Sequence, residues 1–154
     1  MEVTFKKAAE RKDFPVWVAT NGKARINGSH LGSDPRHLPH DIVTLVVERE
    51  LGITDGFFGT VTAGGTFRSM AKRRHAAGRA VIARNRSGLQ NAEHVVNRVW
   101  GDWRSGRPTP CTAALDAALA AWRAVPRGGT LTLTWPAAPA SRKRPRRRSP
   151  PRMW

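Results

Sequence analysis

The segment Pro15-Val16-Trp17-Val18-Ala19-Thr20 runs into Asn21-Gly22 and leaves through Lys23-Ala24-Arg25-Ile26. Asn-Gly accepts the two positive φ values of a type I′ turn, whose twist matches that of the strands on either side. A hairpin is expected here, and with it an antiparallel sheet. Two further segments alternate. Val3 and Phe5 oppose Glu2, Thr4 and Lys6, and Thr130-Leu131-Thr132-Leu133-Thr134-Trp135 sets apolar residues against threonine until Pro136 ends the run. The expected sheet therefore joins an N-terminal strand, the Asn21-Gly22 hairpin and a C-terminal strand over 130–135. The last strand would pair with the hairpin or with the first strand. Trp17, Val18, Leu131, Leu133 and Trp135 are expected to be buried against Leu115, Leu119 and Trp122.

Helical spacing occupies the middle of the chain. After a polar connection from Asn27 to Leu38, Pro39 opens a helix reaching about Leu51, with Gly52 as the left-handed residue past its end. Thr66 to Gly88 is basic throughout, and helix is expected as far as Ala77. From Asn91 onward, Val95, Val96, Val99, Trp100 and Trp103 recur at helical spacing. The last helix has Thr109 as its N-cap and Pro110 at its first position, with Leu115, Ala118, Leu119 and Trp122 along one face. Three or four helices packed on a small antiparallel sheet make the fold class α+β. Residues 1–140 are expected to form one domain, which is long enough to bury a core of its own.

Charge narrows the choice of partner. The 154 residues carry a formal net charge of +16. Ser141 to Trp154 holds seven Arg and Lys and no acid, and it is expected to be a disordered basic tail. Residues 1–140 still carry 20 basic against 11 acidic side chains, so the excess is not confined to the tail. Such a field implies a polyanionic partner, nucleic acid foremost. Candidate nucleic-acid-binding residues are Arg142, Lys143, Arg144, Arg146, Arg147 and Arg148 in the tail and Arg68, Lys72, Arg73 and Arg74 in the body. The competing reading is composition: Arg, Ala, Gly and Pro are all favoured by GC-rich coding, and charge then serves solubility alone. Trp100 and Trp103, set among Arg98, Arg104 and Arg107, are suited either to stacking bases or to core packing, and the Val95-Val96-Val99 face favours the core for Trp100. No helix-turn-helix, zinc-finger or RNA-sheet signature is present, so recognition would be independent of sequence.

Reactive chemistry has one candidate location. In the helix from Pro39, the residues His40, Asp41, Thr44 and Glu48 share one stripe, opposite Ile42, Val43, Leu45, Val46 and Val47. His40, Asp41 and Glu48 therefore form a candidate polar site for acid–base work or a divalent metal, with His37 or His30 needed to complete a ligand set. An ordinary solvated helix face is the stronger reading. Neither a metal nor a cofactor is implied. The glycines between Gly56 and Gly65 match no phosphate-loop pattern and read as packing positions. Cys111 is the single cysteine, which excludes an intramolecular disulfide and a cysteine zinc site, and it reads as a buried structural residue. The N-terminal residues lack the apolar stretch of a signal peptide, and no run approaches the ~18 apolar residues of a membrane span. A cytoplasmic location is expected.

Leu38-Pro39-His40-Asp41, Glu48, Leu51-Gly52, Gly56-Phe57-Phe58-Gly59 and Gly64-Gly65-Thr66-Phe67 together resemble a segment of small uncharacterised proteins from GC-rich Gram-positive (actinobacterial) bacteria. The resemblance covers residues 38–67 and implies no activity. The leading functional reading is thus a non-catalytic binding protein with sequence-independent affinity for nucleic acid. Its alternative is an enzyme of unknown reaction built on His40, Asp41 and Glu48. Oligomeric state is left open.

Overall fold

Four strands form one antiparallel sheet in the computed structural model, which describes residues 1–10, 16–21, 24–29, 37–67 and 76–136. They are β1 (Glu2–Lys6), β2 (Val16–Asn21), β3 (Ala24–Ser29) and β4 (Thr130–Thr134), in the order β3-β2-β1-β4. Between β3 and β4 in sequence lie α1 (His40–Glu50), α2 (Phe57–Thr62), α3 (Ala76–Arg84), α4 (Arg86–Arg104) and α5 (Thr112–Ala124). The α+β class expected from alternation at both ends is the one observed.

The register follows from the alternation. On β1, Val3 stands between Ala19 and Leu133, and Phe5 between Trp17 and Leu131. Every apolar residue of the central strand is therefore flanked by apolar residues facing the same way, which fixes the pairing because a one-residue slip would turn the whole set outward. The terminal strand pairs with β1 rather than with the hairpin. The Met1 amine donates to the Trp135 carbonyl at 3.0 Å, and the Trp135 N–H donates to the Met1 carbonyl at 2.7 Å. Val18 departs from expectation. It lies in the row of Thr4 and Thr132, on the open face, because only every second residue of a strand meets the core.

The hairpin forms one residue further along than Asn21-Gly22 suggests. Asn21 pairs with Ala24, which leaves residues 22–23 as the connection, and β3 extends to Ser29 through residues expected to be loop.

Helix α1 is the centre of the core. Every residue from Ile42 to Glu48 is buried. A helix apolar on most of its circumference has no water-facing side, and α1 is enclosed by α2, α4 and α5 together with the sheet. It ends at Leu51 with Gly52 at φ +65, the left-handed terminator expected there. The solvated stripe expected along α1 is therefore a correction: Thr44 and Glu48 are interior residues.

Helix α3 covers Ala76–Arg84, and the stretch before Ala77 where helix is expected lies mostly on residues 68–75, outside the described residues. Gly78 belongs to it because its missing side chain lets Thr66 pack against the backbone. At α5 the expected cap acts one turn ahead of the regular helix. Thr109 Oγ1 accepts from the Cys111 N–H at 3.1 Å, and the Thr109 N–H donates to Thr112 Oγ1 at 2.8 Å. The other end of α5 is held by Lys7, whose ammonium donates to the carbonyls of Trp122 and Val125 at 2.8 and 2.9 Å. A cation is favoured where unpaired carbonyls accumulate.

The basic tail from Ser141, together with Arg68, Lys72, Arg73 and Arg74, lies outside the described residues, as does His30.

Candidate functional site

Glu48 is 1 % exposed and sits in the last turn of α1, against the start of α2. Its Oε1 accepts from the Phe57 N–H at 2.5 Å and its Oε2 from the Phe58 N–H at 3.0 Å. These are first-turn amides of a helix that has no partner for them within itself. Gly56 makes the arrangement possible, since a β-carbon there would collide with the Glu48 carboxylate. Burial pushes the carboxyl up to about 7, against the two amide hydrogen bonds, and the negative charges of Asp55 and Glu93 push it the same way. Both oxygens of Glu48 are committed to backbone. It joins α1 to α2 through these two bonds.

Those two residues begin α1 and meet α4 and β2. His40 Nε2 lies 3.2 Å from Asn97 Oδ1, an acceptor, so the ring carries its proton on Nε2. The Asn97 amide in turn donates to Glu93 Oε1 at 2.9 Å. The imidazole meets the edge of the Trp100 ring at 5.0 Å between centroids, and the Arg104 guanidinium lies 4.9 Å over that same ring. Glu93, Asn97, Trp100 and Arg104 follow one another at helical spacings of three and four, so a single stripe of α4 supplies them all. Asp41 turns the other way: Trp17 Nε1 donates to its Oδ2 at 3.1 Å. Burial raises the Asp41 carboxyl to about 6, opposed by the Trp17 hydrogen bond and the His40 charge and assisted by Glu93.

The structure thus keeps His40 and Asp41 together, removes Glu48, and adds Glu93, Asn97 and Trp17. The signal for Glu93 and Asn97 was present as a four-residue spacing on the expected helix. What was absent was any indication that α4 packs across the N-terminus of α1. Chemically, the group is a half-buried junction in which the raised Asp41 carboxyl, at about 6, lies beside the His40 imidazole. Among the described residues, no three His, Cys, Asp or Glu side chains are grouped to hold a metal ion.

Other candidates resolve as packing. Cys111 is fully buried in the core, and burial raises its thiol, followed by the charge of Glu50. The proximity of a helix start, which by itself lowers a thiol pKa, is outweighed there. Gly59 and Gly65 pack against the backbone of Thr54 and Thr60, which gives the 56–65 glycines their use. Trp103 is tied to α5 through a 2.8 Å hydrogen bond to Asp116, and Arg107 is paired with Asp102 at 2.7 Å. No helix among the described residues is long and apolar enough to cross a membrane.

Charge is distributed unevenly. Residues 56–92 hold seven Arg and Lys and residues 141–154 hold seven more, with no acid in either stretch. Between Asp55 and Glu93 the chain has no acidic residue, and Arg79, Arg84 and Arg86 are exposed across the α3–α4 junction. Comparison with protein-family models, curated proteins and solved structures finds no match.

Proposed function

We propose that this is a non-catalytic protein that binds polyanions independently of sequence, with nucleic acid as the ligand. Its grip would come from the basic segment holding Arg68, Lys72, Arg73 and Arg74 and from Arg142, Lys143, Arg144, Arg146, Arg147 and Arg148. One observation carries the reading: fourteen of the 27 Arg and Lys lie in two acid-free stretches, residues 56–92 and 141–154. A charge serving solubility alone has no reason to be segregated in this way. Segregated cations instead act on a phosphate backbone as a local field, releasing counterions as they bind. The enzyme alternative would have to run on His40 and Asp41 with Glu93, since Glu48 is spent on α2.

The test is binding of duplex and single-stranded DNA and of RNA by the full chain and by a version ending at Ala140, at low and physiological salt. The full chain is expected to bind all three with affinity that falls steeply with salt, and the shortened chain to bind much more weakly. Salt-independent binding, or none by the full chain at low salt, removes the reading.

A further inference from the structure

The sheet has an open edge at β4. The exchange of hydrogen bonds between Met1 and Trp135, and the Lys7 N–H donating to Gly129 at 2.9 Å, fix which residues of β4 point their backbone at β1. In an antiparallel ladder these alternate. Leu131 and Leu133 are bonded to β1, while the N–H and C=O groups of Thr130, Thr132 and Thr134 point away from the sheet. Among the described residues nothing pairs with them.

Such an edge is a template for another strand, and proteins commonly blunt it with charge, proline or a bulge. Here Thr130-Leu131-Thr132-Leu133-Thr134 contains none of these, and it reads the same in both directions. We propose that β4 is the interface of a two-fold dimer, in which the β4 strands of two copies pair antiparallel about Thr132 to make one continuous sheet.

The palindrome makes the edge complementary to itself. Thr132 meets Thr132 of the partner subunit, and Thr130 meets Thr134 of the partner subunit, each pair exchanging both N–H···O bonds. Leu131 and Leu133, half-buried in the single chain, gain apolar neighbours in Leu133 and Leu131 of the partner subunit. On the open face the rows also match. Glu2 and Thr134 share a row, which continues through Thr130 of the partner subunit to Lys6 of the partner subunit. Each outer row thus carries opposite charges on the two sides of the seam, roughly 14 Å apart at the ~4.8 Å spacing of neighbouring strands. The central row is hydroxyl throughout, since Thr132 Oγ1 already lies 2.9 Å from Thr4 Oγ1. No like charges face each other across the seam. The other edge, β3, reads Ala-Arg-Ile-Asn-Gly-Ser and has no such symmetry. Nor do the chain's own segments make an equivalent partner: residues 137–154 combine seven cations with four prolines, which cannot donate to a ladder.

Sedimentation equilibrium of the full chain at physiological salt, from low micromolar concentration upward, is expected to give twice the 17.0 kDa chain mass. Thr132→Lys places two cations face to face at the two-fold axis, and Thr132→Pro removes the central outward N–H without touching a bond to β1. Both variants are expected to sediment as monomers with an unchanged circular dichroism spectrum, and the two changes act through different physics. Amide exchange at Thr130, Thr132 and Thr134 is expected to slow as protein concentration rises. A monomer at every concentration overturns the proposal. So do dimers that persist in both variants, or protection of these amides that is independent of concentration, which would mean that a segment of the same chain covers the edge.

Discussion

At the scale of single residues, Glu48 has the most to reveal, because its buried carboxylate is both costly and useful. Its folded value near 7 lies above the ordinary value of 4.5, so the native state holds the proton more tightly than the unfolded chain. The resulting stabilisation is complete below pH 4.5, is lost as the pH rises to about 7, and is absent above that. The difference corresponds to about 3 kcal/mol at the usual ~1.4 kcal/mol per pKa unit. Asp41, raised to about 6, acts in the same direction over a lower and narrower window. Thermal melts from pH 4.5 to 8 should show the wild type losing stability toward neutrality. Glu48→Gln, which keeps an acceptor for the α2 amides and cannot ionise, should show a clearly shallower loss, and identical slopes would show that Glu48 does not titrate in this range. None of this was legible in sequence. Glu48 was read as solvated because it shares a stripe with His40 and Asp41, and a stripe gives no account of what covers it. Only the packing of α2 onto α1, with Gly56 leaving the space, turns that stripe inward.

At the scale of elements, the legible ones were those whose signal is local. The β1 and β4 alternations and the Gly52 terminator are each complete within a few residues and act where expected, whereas Thr109 bonds the Cys111 amide and the regular helix starts only at Thr112. Elements defined by neighbours were read less well. The hairpin pairs Asn21 with Ala24, one residue beyond the register that the Asn21-Gly22 turn preference favours. Burial grades the strands in the same way. Leu115 on α5 is fully enclosed, whereas Leu133 lies on an edge strand and is only half-buried. Leu115→Ala should therefore cost about 2–5 kcal/mol, the range for an enclosed leucine, and Leu133→Ala about half of that. Urea denaturation of the two variants compares them directly. Equal losses would show that the β4 edge is enclosed by something other than β1, and the dimer argued from the Thr130–Thr134 palindrome is one way to produce that result above its association concentration.

At the scale of the whole molecule, the first and last described strands are tied together. Met1 and Trp135 exchange hydrogen bonds, and Trp135 is buried. Ending the chain at Ala140 should leave the melting temperature within a degree or so while weakening polyanion binding strongly, so stability and binding separate. The two basic segments can then be apportioned. In the counterion-release picture each phosphate neutralised on duplex DNA contributes about 0.9 to the slope of log affinity against log salt. Neutralising Arg68, Lys72, Arg73 and Arg74 together should lower that slope by up to about 3.6, and removing the seven tail cations by up to about 6.3, if every charge meets a phosphate. A long duplex allows both segments to engage at once, so the two reductions should be nearly additive there. A short duplex should register mainly the tail, because a ligand that cannot span both segments gains from only one. Binding measured on both lengths across a salt series decides it. A slope that falls with the tail alone, on either length, would confine recognition to residues 141–154 and leave the charge of 68–74 to solubility.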